Sequence, residues 1–276
     1  MIMLTGLTAL PTSFGGWIGF IIAKYGNLFL IGAGNTLLIA LTGTLAGFII
    51  GLGVAIIRTI PLKREGFTVR KILLKIVQFL LVAYIEIFRG TPMIVQAMVI
   101  YYGSMSLLGI DLAPITAGIL IVSVNTGAYM SEIIRGGIES IDRGQAEAAQ
   151  SIGMNHWQTM TQVILPQAVR NILPATGNEF IVNIKDTSVL NVIAVTELYY
   201  LSNSAAGTYF KFFEVFTVAS VIYFIMTFSV TRVLRFIERK LDGPANYTII
   251  GSQTTPMAII RVRHGESLNN STKGRS

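Results

Sequence analysis

The chain has 276 residues, of which 52% are hydrophobic and only 13% charged, whereas ordinary soluble domains carry about 25% charged residues. That balance excludes a soluble domain and describes an integral membrane protein. The absence of cysteine excludes a disulfide framework and a thiolate metal site. A net charge of +7 invites a nucleic-acid reading, but the basic residues gather at the ends of apolar runs, where membrane topology accounts for them.

Residues 1–27 lack a basic n-region, and the first charge is Lys24, so no cleavable signal peptide is expected. The apolar stretch Trp17–Ala23 is short, and Lys24 interrupts it. It reads as an interfacial helix, with Trp17 and Tyr25 suited to the headgroup level. Span 1 covers Leu28 to Ile57, longer than the roughly 20 residues a bilayer requires. Gly43, Gly47 and Gly51 share one of its faces, a spacing that lets two helices approach closely. Packing within the same subunit is preferred here to a dimer seam.

Residues 58–75 carry Arg58, Lys63, Arg64, Arg70, Lys71 and Lys75 against Glu65. The cluster is therefore expected in the cytoplasm, with the N-terminus outside. Span 2 lies within Val77–Tyr102, and Gly90 and Pro92 should break it. Glu86 and Arg89, three residues apart, are an expected ion pair orienting that break. Residues 103–114 hold no Lys or Arg, as an outside loop should. Span 3 is Ile115–Ile134. Gln96, Asn125 and Thr126 are polar near mid-membrane, so they should face protein or a water-filled path. Interhelical hydrogen bonding and pathway lining are both open readings for them.

Between spans 3 and 4 lies the polar stretch 142–174, rich in helix punctuation. Asp142 with Gln145, and Asn155 with Gln158, are helix-start signatures. Helices are expected at Arg143–Ile152 and His156–Ile164. Gly153 suits the left-handed position that ends the first. Pro166 suits the first turn of a third helix, which Pro174 closes or kinks. Span 4 should run from near Phe180 to near Tyr200, and its entry, Asn178–Ser188, is unusually polar, with Glu179, Lys185, Asp186 and Ser188. Such polar starts suit a gate or a buried network. Residues 203–212 form a second outside loop, and span 5 is Phe213–Val233, followed by Arg235, Arg239 and Lys240. Five spans, N-terminus out and C-terminus in, satisfy every basic cluster. Residues 242–276 are polar and expected to be a flexible tail.

Glu147-Ala148-Ala149, three residues, Gly153, nine residues, then Val163-Ile164-Leu165-Pro166 resembles the EAA loop of ABC importer permeases, with Val163 in the place of Ile. The segment YIEIFRGTPMIVQ, residues 84–96, and LIVSVNTGAYMSEIIRGGI, residues 120–138, resemble the polar amino acid subfamily. The resemblance covers about residues 30–240, placing a transmembrane domain at 28–241, and implies an all-α integral membrane protein of about five transmembrane helices with a cytoplasmic coupling-helix loop at 142–166. It further implies that Glu147, Ala148, Ala149, Gly153, Leu165 and Pro166 meet an ATPase. Gln96, Asn125, Thr126 and Ser188 are candidate pathway or gate residues, while Glu86, Arg89, Gly90 and Pro92 form the helix break.

The chain itself offers no G-x-x-x-x-G-K-[ST] loop, so ATP and magnesium belong on a separate ATPase dimer. With no cysteine and two histidines, it holds no evident catalytic or metal set. The expected partners are that ATPase, a second permease copy or a related permease chain, an extracytoplasmic substrate-binding protein, a polar amino acid and the lipid bilayer. An ion-coupled carrier would show an inverted repeat, which is not evident. A membrane sensor or scaffold without an ATPase is the other alternative. Ala149-x-x-x-Gly153 also fits the turn of a DNA-reading helix pair, but the flanking spans exclude nucleic acid.

Overall fold

The computed structural model describes residues 10–60, 69–241, 247–250 and 259–262. In chain order the helices are α1 (Phe14–Thr59), α2 (Val69–Gly90), α3 (Met93–Leu108), α4 (Pro114–Glu139), α5 (Arg143–Ser151), the single turn α6 (His156–Gln158), α7 (Leu165–Asp186), α8 (Leu198–Tyr209) and α9 (Phe212–Leu241). A π-helical stretch, Thr159–Ile164, leads into α7, and a 3₁₀ stretch, Thr187–Ile193, follows it. By length and composition, α1, α4 and α9 are long and apolar enough to cross a membrane, and α3 is a shorter apolar helix. Residues 235–276 form a separate unit. In it, Tyr247–Ile250 and Ile259–Val262 pair antiparallel, in a segment whose polar composition led to the expectation of a flexible tail. Arg263 and His264 of the tail lie outside the described residues, as do Lys63, Arg64 and Glu65.

The seam between α1 and α4 organises the helical unit. A Cβ built on Gly43 would meet Val122, one on Gly47 would meet Thr126, and one on Gly51 would lie 2.5 Å from Met130 Cβ. Each glycine removes the side chain that would keep the two backbones apart. The glycine face is therefore used inside the subunit, as expected. Around the seam, Ile39, Ala97, Ile121, Val122, Leu190 and Ile193 form one apolar cluster. A second joins Trp17, Ile21 and Phe29 of α1 to Leu198, Ala205 and Val215.

Several boundaries differ from those expected. Residues 14–27 are not a separate interfacial helix, because α1 continues unbroken through Lys24 to Thr59. Trp17 and Ile21 bury themselves in the same cluster as Phe29, and that common packing keeps the helix whole. Pro174 does not close α7, which runs on to Asp186. Ala168 and Ile172 pack beside Ala55 and Ile134 before the proline, and Gly177 seats against Leu234 after it, so packing on both sides carries the helix through. The helix expected at His156–Ile164 is one α turn followed by the π stretch. There the Leu165 N–H reaches back five residues to the Met160 carbonyl. A straight α-helix would drive the Pro166 ring into the carbonyl four residues earlier, and the wider turn relieves that clash.

The span expected at Phe180–Tyr200 is interrupted. After Asp186 the chain tightens into the 3₁₀ stretch, turns through Ala194 at φ 58°, and starts α8 at Leu198. Most of the expected outside loop 203–212 is helical, and it turns at Phe210 with φ 55°. The break at Gly90–Pro92 falls where the sequence placed it, with Pro92 capping α3.

Candidate functional site

The 142–166 loop is built from local signals. Asp142 caps α5 by accepting from the Gly144 N–H at 2.6 Å. Gly153 takes φ 89°, a conformation that a side chain disfavours. The Asn155 side chain accepts from the Gln158 N–H, and the Gln158 side chain accepts from the Asn155 N–H, each at 2.9 Å. This reciprocal pair closes both free donors at the second start. Ala149 is buried against the chain, whereas Glu147 and Ala148 face out, as do Leu165 and Pro166. Ile152 is 79% exposed and Trp157 75% exposed. Two large apolar side chains held out on a rigidly capped scaffold form a surface that suits another protein.

The helix break is organised differently from the expected ion pair. Glu86 and Arg89 are absent from the salt bridges among the described residues. Arg89 instead lies over the Tyr129 ring of α4, 5.5 Å from its centroid. The cation thus finds an aromatic face across the helix interface, and Glu86 faces outward. The break is tied by Gln96, whose Nε2 donates to the Phe88 and Thr91 carbonyls at 3.0 and 2.9 Å. Gln96 Oε1 accepts from Asn125 Nδ2 at 2.8 Å. Gln96 and Asn125 are therefore brought together, linking the freed carbonyls at Gly90 to α4.

Thr126 belongs to a second network. Asn183 of α7 donates through Nδ2 to Thr44 Oγ1 at 2.8 Å and to Thr126 Oγ1 at 3.0 Å, joining α1, α4 and α7. Ser188 joins neither network, and its carbonyl accepts from Asn191 Nδ2 at 2.7 Å.

Two further acids stand out in the structure, of which Glu197 was not singled out by sequence reasoning. Glu197 is fully buried. It accepts from the Tyr199 and Tyr200 N–H groups at 2.9 and 2.7 Å and from the Tyr223 hydroxyl at 2.9 Å. Thr36 Oγ1 also reaches it at 3.4 Å. It caps α8 while holding α1 and α9 together. The one local sign was an acid just before an apolar run, and Glu is a weak capping signal. Glu179 of α7 is half-buried within reach of the charges of Asp186 and Arg89. Nearer the end of the seam, Glu132 pairs with Arg58 of α1 and, at 2.7 Å, with Arg135.

Long apolar helices, broken and polar-laced helices beside them and a capped, exposed loop make this a polytopic helical membrane protein. The family model for the binding-protein-dependent transport system inner membrane component matches residues 66–243. The chain belongs to that family. It is 36% identical over 215 residues to the glutamine transport system permease protein GlnP of Escherichia coli K12, covering 78% of this chain and 93% of that protein. It is also 36% identical over 160 residues to the arginine transport system permease protein ArtQ of Bacillus subtilis, covering 58% of this chain and 73% of the relative. The crystal structure of an amino acid ABC transporter with histidines superposes with a TM-score of 0.71 at 36% identity, covering 80% and 97% of the two chains. The fold alone is shared with the inward-facing MetNI methionine ABC transporter, at a TM-score of 0.63 and 20% identity over 78% of this chain and 96% of that one.

Proposed function

We propose that the chain is the permease subunit of an ATP-driven importer that moves a polar amino acid across the cytoplasmic membrane. The observation that carries this reading is the 142–166 loop. Its two caps and its positive-φ glycine hold Glu147, Ile152 and Trp157 out as a preformed docking face. The partner is an ATPase dimer, which binds ATP and magnesium. A second permease chain completes the translocation path, and a binding protein delivers substrate to the outer side. The N-terminus lies outside and the loop inside, because Arg58, Arg135, Arg143, Arg235 and Arg239 then all face the cytoplasm.

Coupling requires that the docked ATPase favour one arrangement of the spans over another, since contact of equal strength in both would shift nothing. The relatives' substrates, glutamine and arginine among them, support the amino acid class.

The test is purification of the membrane complex with wild-type chain beside a Glu147→Ala/Gly153→Leu variant, with mass spectrometry of what copurifies. A P-loop ATPase should accompany the wild type and be lost from the variant. A stable wild-type chain without an ATPase, in conditions that preserve membrane complexes, contradicts the proposal.

A further inference from the structure

The segments assigned to the outer side, residues 1–27, 103–114 and 203–212, contain two basic residues, Lys24 and Lys211. Positive charge is disfavoured on that side, so each asks for a reason. Although they are far apart in sequence, the fold brings both to one aromatic cluster. Tyr209 packs its ring 5.7 Å from Trp17 and 5.5 Å from Phe20. The Lys24 ammonium donates to the Tyr209 hydroxyl and lies 5.0 Å from that ring's centroid. Lys211 Nζ sits 4.9 Å over Trp17 and 3.4 Å from the Glu214 carboxylate. Among the described residues the cluster thus holds two ammonium groups and one carboxylate, and the carboxylate pairs with Lys211. Lys24 meets a hydroxyl and ring faces, and among the described residues no acid compensates its charge.

The depth of the cluster follows from α9. Twenty residues separate Phe212, next to Lys211, from Arg232, or about 30 Å of helix, the thickness of a bilayer's hydrocarbon. The two cations bracket that thickness, so Lys211 and its neighbours lie at headgroup level. Beside the cluster, Phe210 and Phe213 face outward, 83% and 75% exposed, and the Phe213 ring lies 5.4 Å from that of Phe14. Deeper on α1, Ile31, two helical turns beyond Lys24 on the same face, is exposed and apolar.

We propose that this cluster is a headgroup site for an anionic phospholipid. The phosphate takes the Lys24 ammonium, with Lys211 adding charge from above Trp17, and the acyl chains lie on the exposed apolar rim. A soluble anion would have to leave water for a rim of phenylalanines, whereas a lipid brings its phosphate there with its chains already in hydrocarbon. The contact requires only that α9 spans the membrane. The orientation proposed above adds which leaflet is used.

Trp17 provides the reporter, because the chain has two tryptophans and Trp157→Phe leaves it alone. The full-length Trp157→Phe chain is placed in lipid nanodiscs, and quenching of Trp17 by brominated phosphatidylglycerol is compared with quenching by brominated phosphatidylcholine at equal mole fraction. The expected result is a preference for phosphatidylglycerol of about five-fold per effective lysine charge. Lys24→Gln should abolish most of that preference and Lys24→Arg should keep it; Lys24 is exposed, so neither change disturbs the core. Equal quenching by the two lipids, or full preference in Lys24→Gln, overturns the site and leaves an interfacial anchor without headgroup choice. Relief of the quenching by millimolar inorganic phosphate also overturns it, in favour of a soluble anion. None of these outcomes depends on the ATPase, so failure here and failure of the coupling proposal are separable.

Discussion

Two interruptions of the helices, at Gly90–Pro92 and at Thr187–Glu197, are built on different principles. The first is written into the backbone. Proline supplies no N–H and cannot continue α2, and the orphaned carbonyls of Phe88 and Thr91 are gathered by Gln96 from the next helix turn. The second contains neither glycine nor proline. It consists of seven 3₁₀ residues, longer than the usual short run, and a left-handed alanine. A buried carboxylate holds it to helices distant in sequence. A backbone-encoded break survives changes around it, whereas a break held by one side chain depends on that side chain. A long 3₁₀ stretch is also a natural place for a helix to yield, which suits a transport subunit.

The most damaging change should be Glu197→Ala. It strands two α8 N–H groups and the Tyr223 hydroxyl in the interior, at a cost of about 3 kcal/mol or more. Thermal unfolding of the purified chain should show the largest drop of the set, with Glu197→Gln intermediate because one acceptor remains. A melting point equal to wild type would remove the carboxylate from its role in the second break.

Next comes the seam on which both interruptions rest. A Cβ at Gly51 would fall 2.8 Å from the Ser131 N and 2.5 Å from Met130 Cβ, while nothing lies within 4 Å of one at Gly53. Gly51→Leu should therefore cost about 2–3 kcal/mol by overpacking. Gly53→Leu should be tolerated, and equal behaviour of the two would mean that the seam can spread.

At the first break, Gln96→Leu and Asn125→Leu should each cost about 1–2 kcal/mol. The double variant should cost less than their sum, because the two share one hydrogen bond. Strict additivity would show that Gln96 and Asn125 act separately. The smallest effect has the opposite sign. Ala194→Gly should raise stability by up to about 1 kcal/mol by relieving the left-handed alanine, read as a small upward shift in melting. A drop would show that the alanine methyl packs usefully there.

The elements legible in the sequence are those whose cause lies within a few residues of their effect. Asp142 and Asn155 cap their own helices, Gly153 supplies its own positive φ, and Pro92 stops α2 without help from the rest of the chain. The apolar runs that make α1, α4 and α9 candidate spans are equally local. The seam glycines could also be read, because Gly43, Gly47 and Gly51 repeat at helical spacing.

Tertiary structure decided whatever required two distant segments to meet. Glu197 becomes a cap and clamp because Thr36, 161 residues earlier, and Tyr223 arrive beside it. Arg89 turns from Glu86 to the Tyr129 ring because α4 presents that face, and an exposed ion pair one turn apart offers only a few tenths of a kcal/mol to hold it back. Residues 14–27 join α1 because Trp17 and Ile21 find a partner in the α8–α9 corner, burial that outweighs the interruption at Lys24. Local hydrogen-bond chemistry is fixed by neighbours along the chain. Burial and long-range pairing become defined only once the helices have packed.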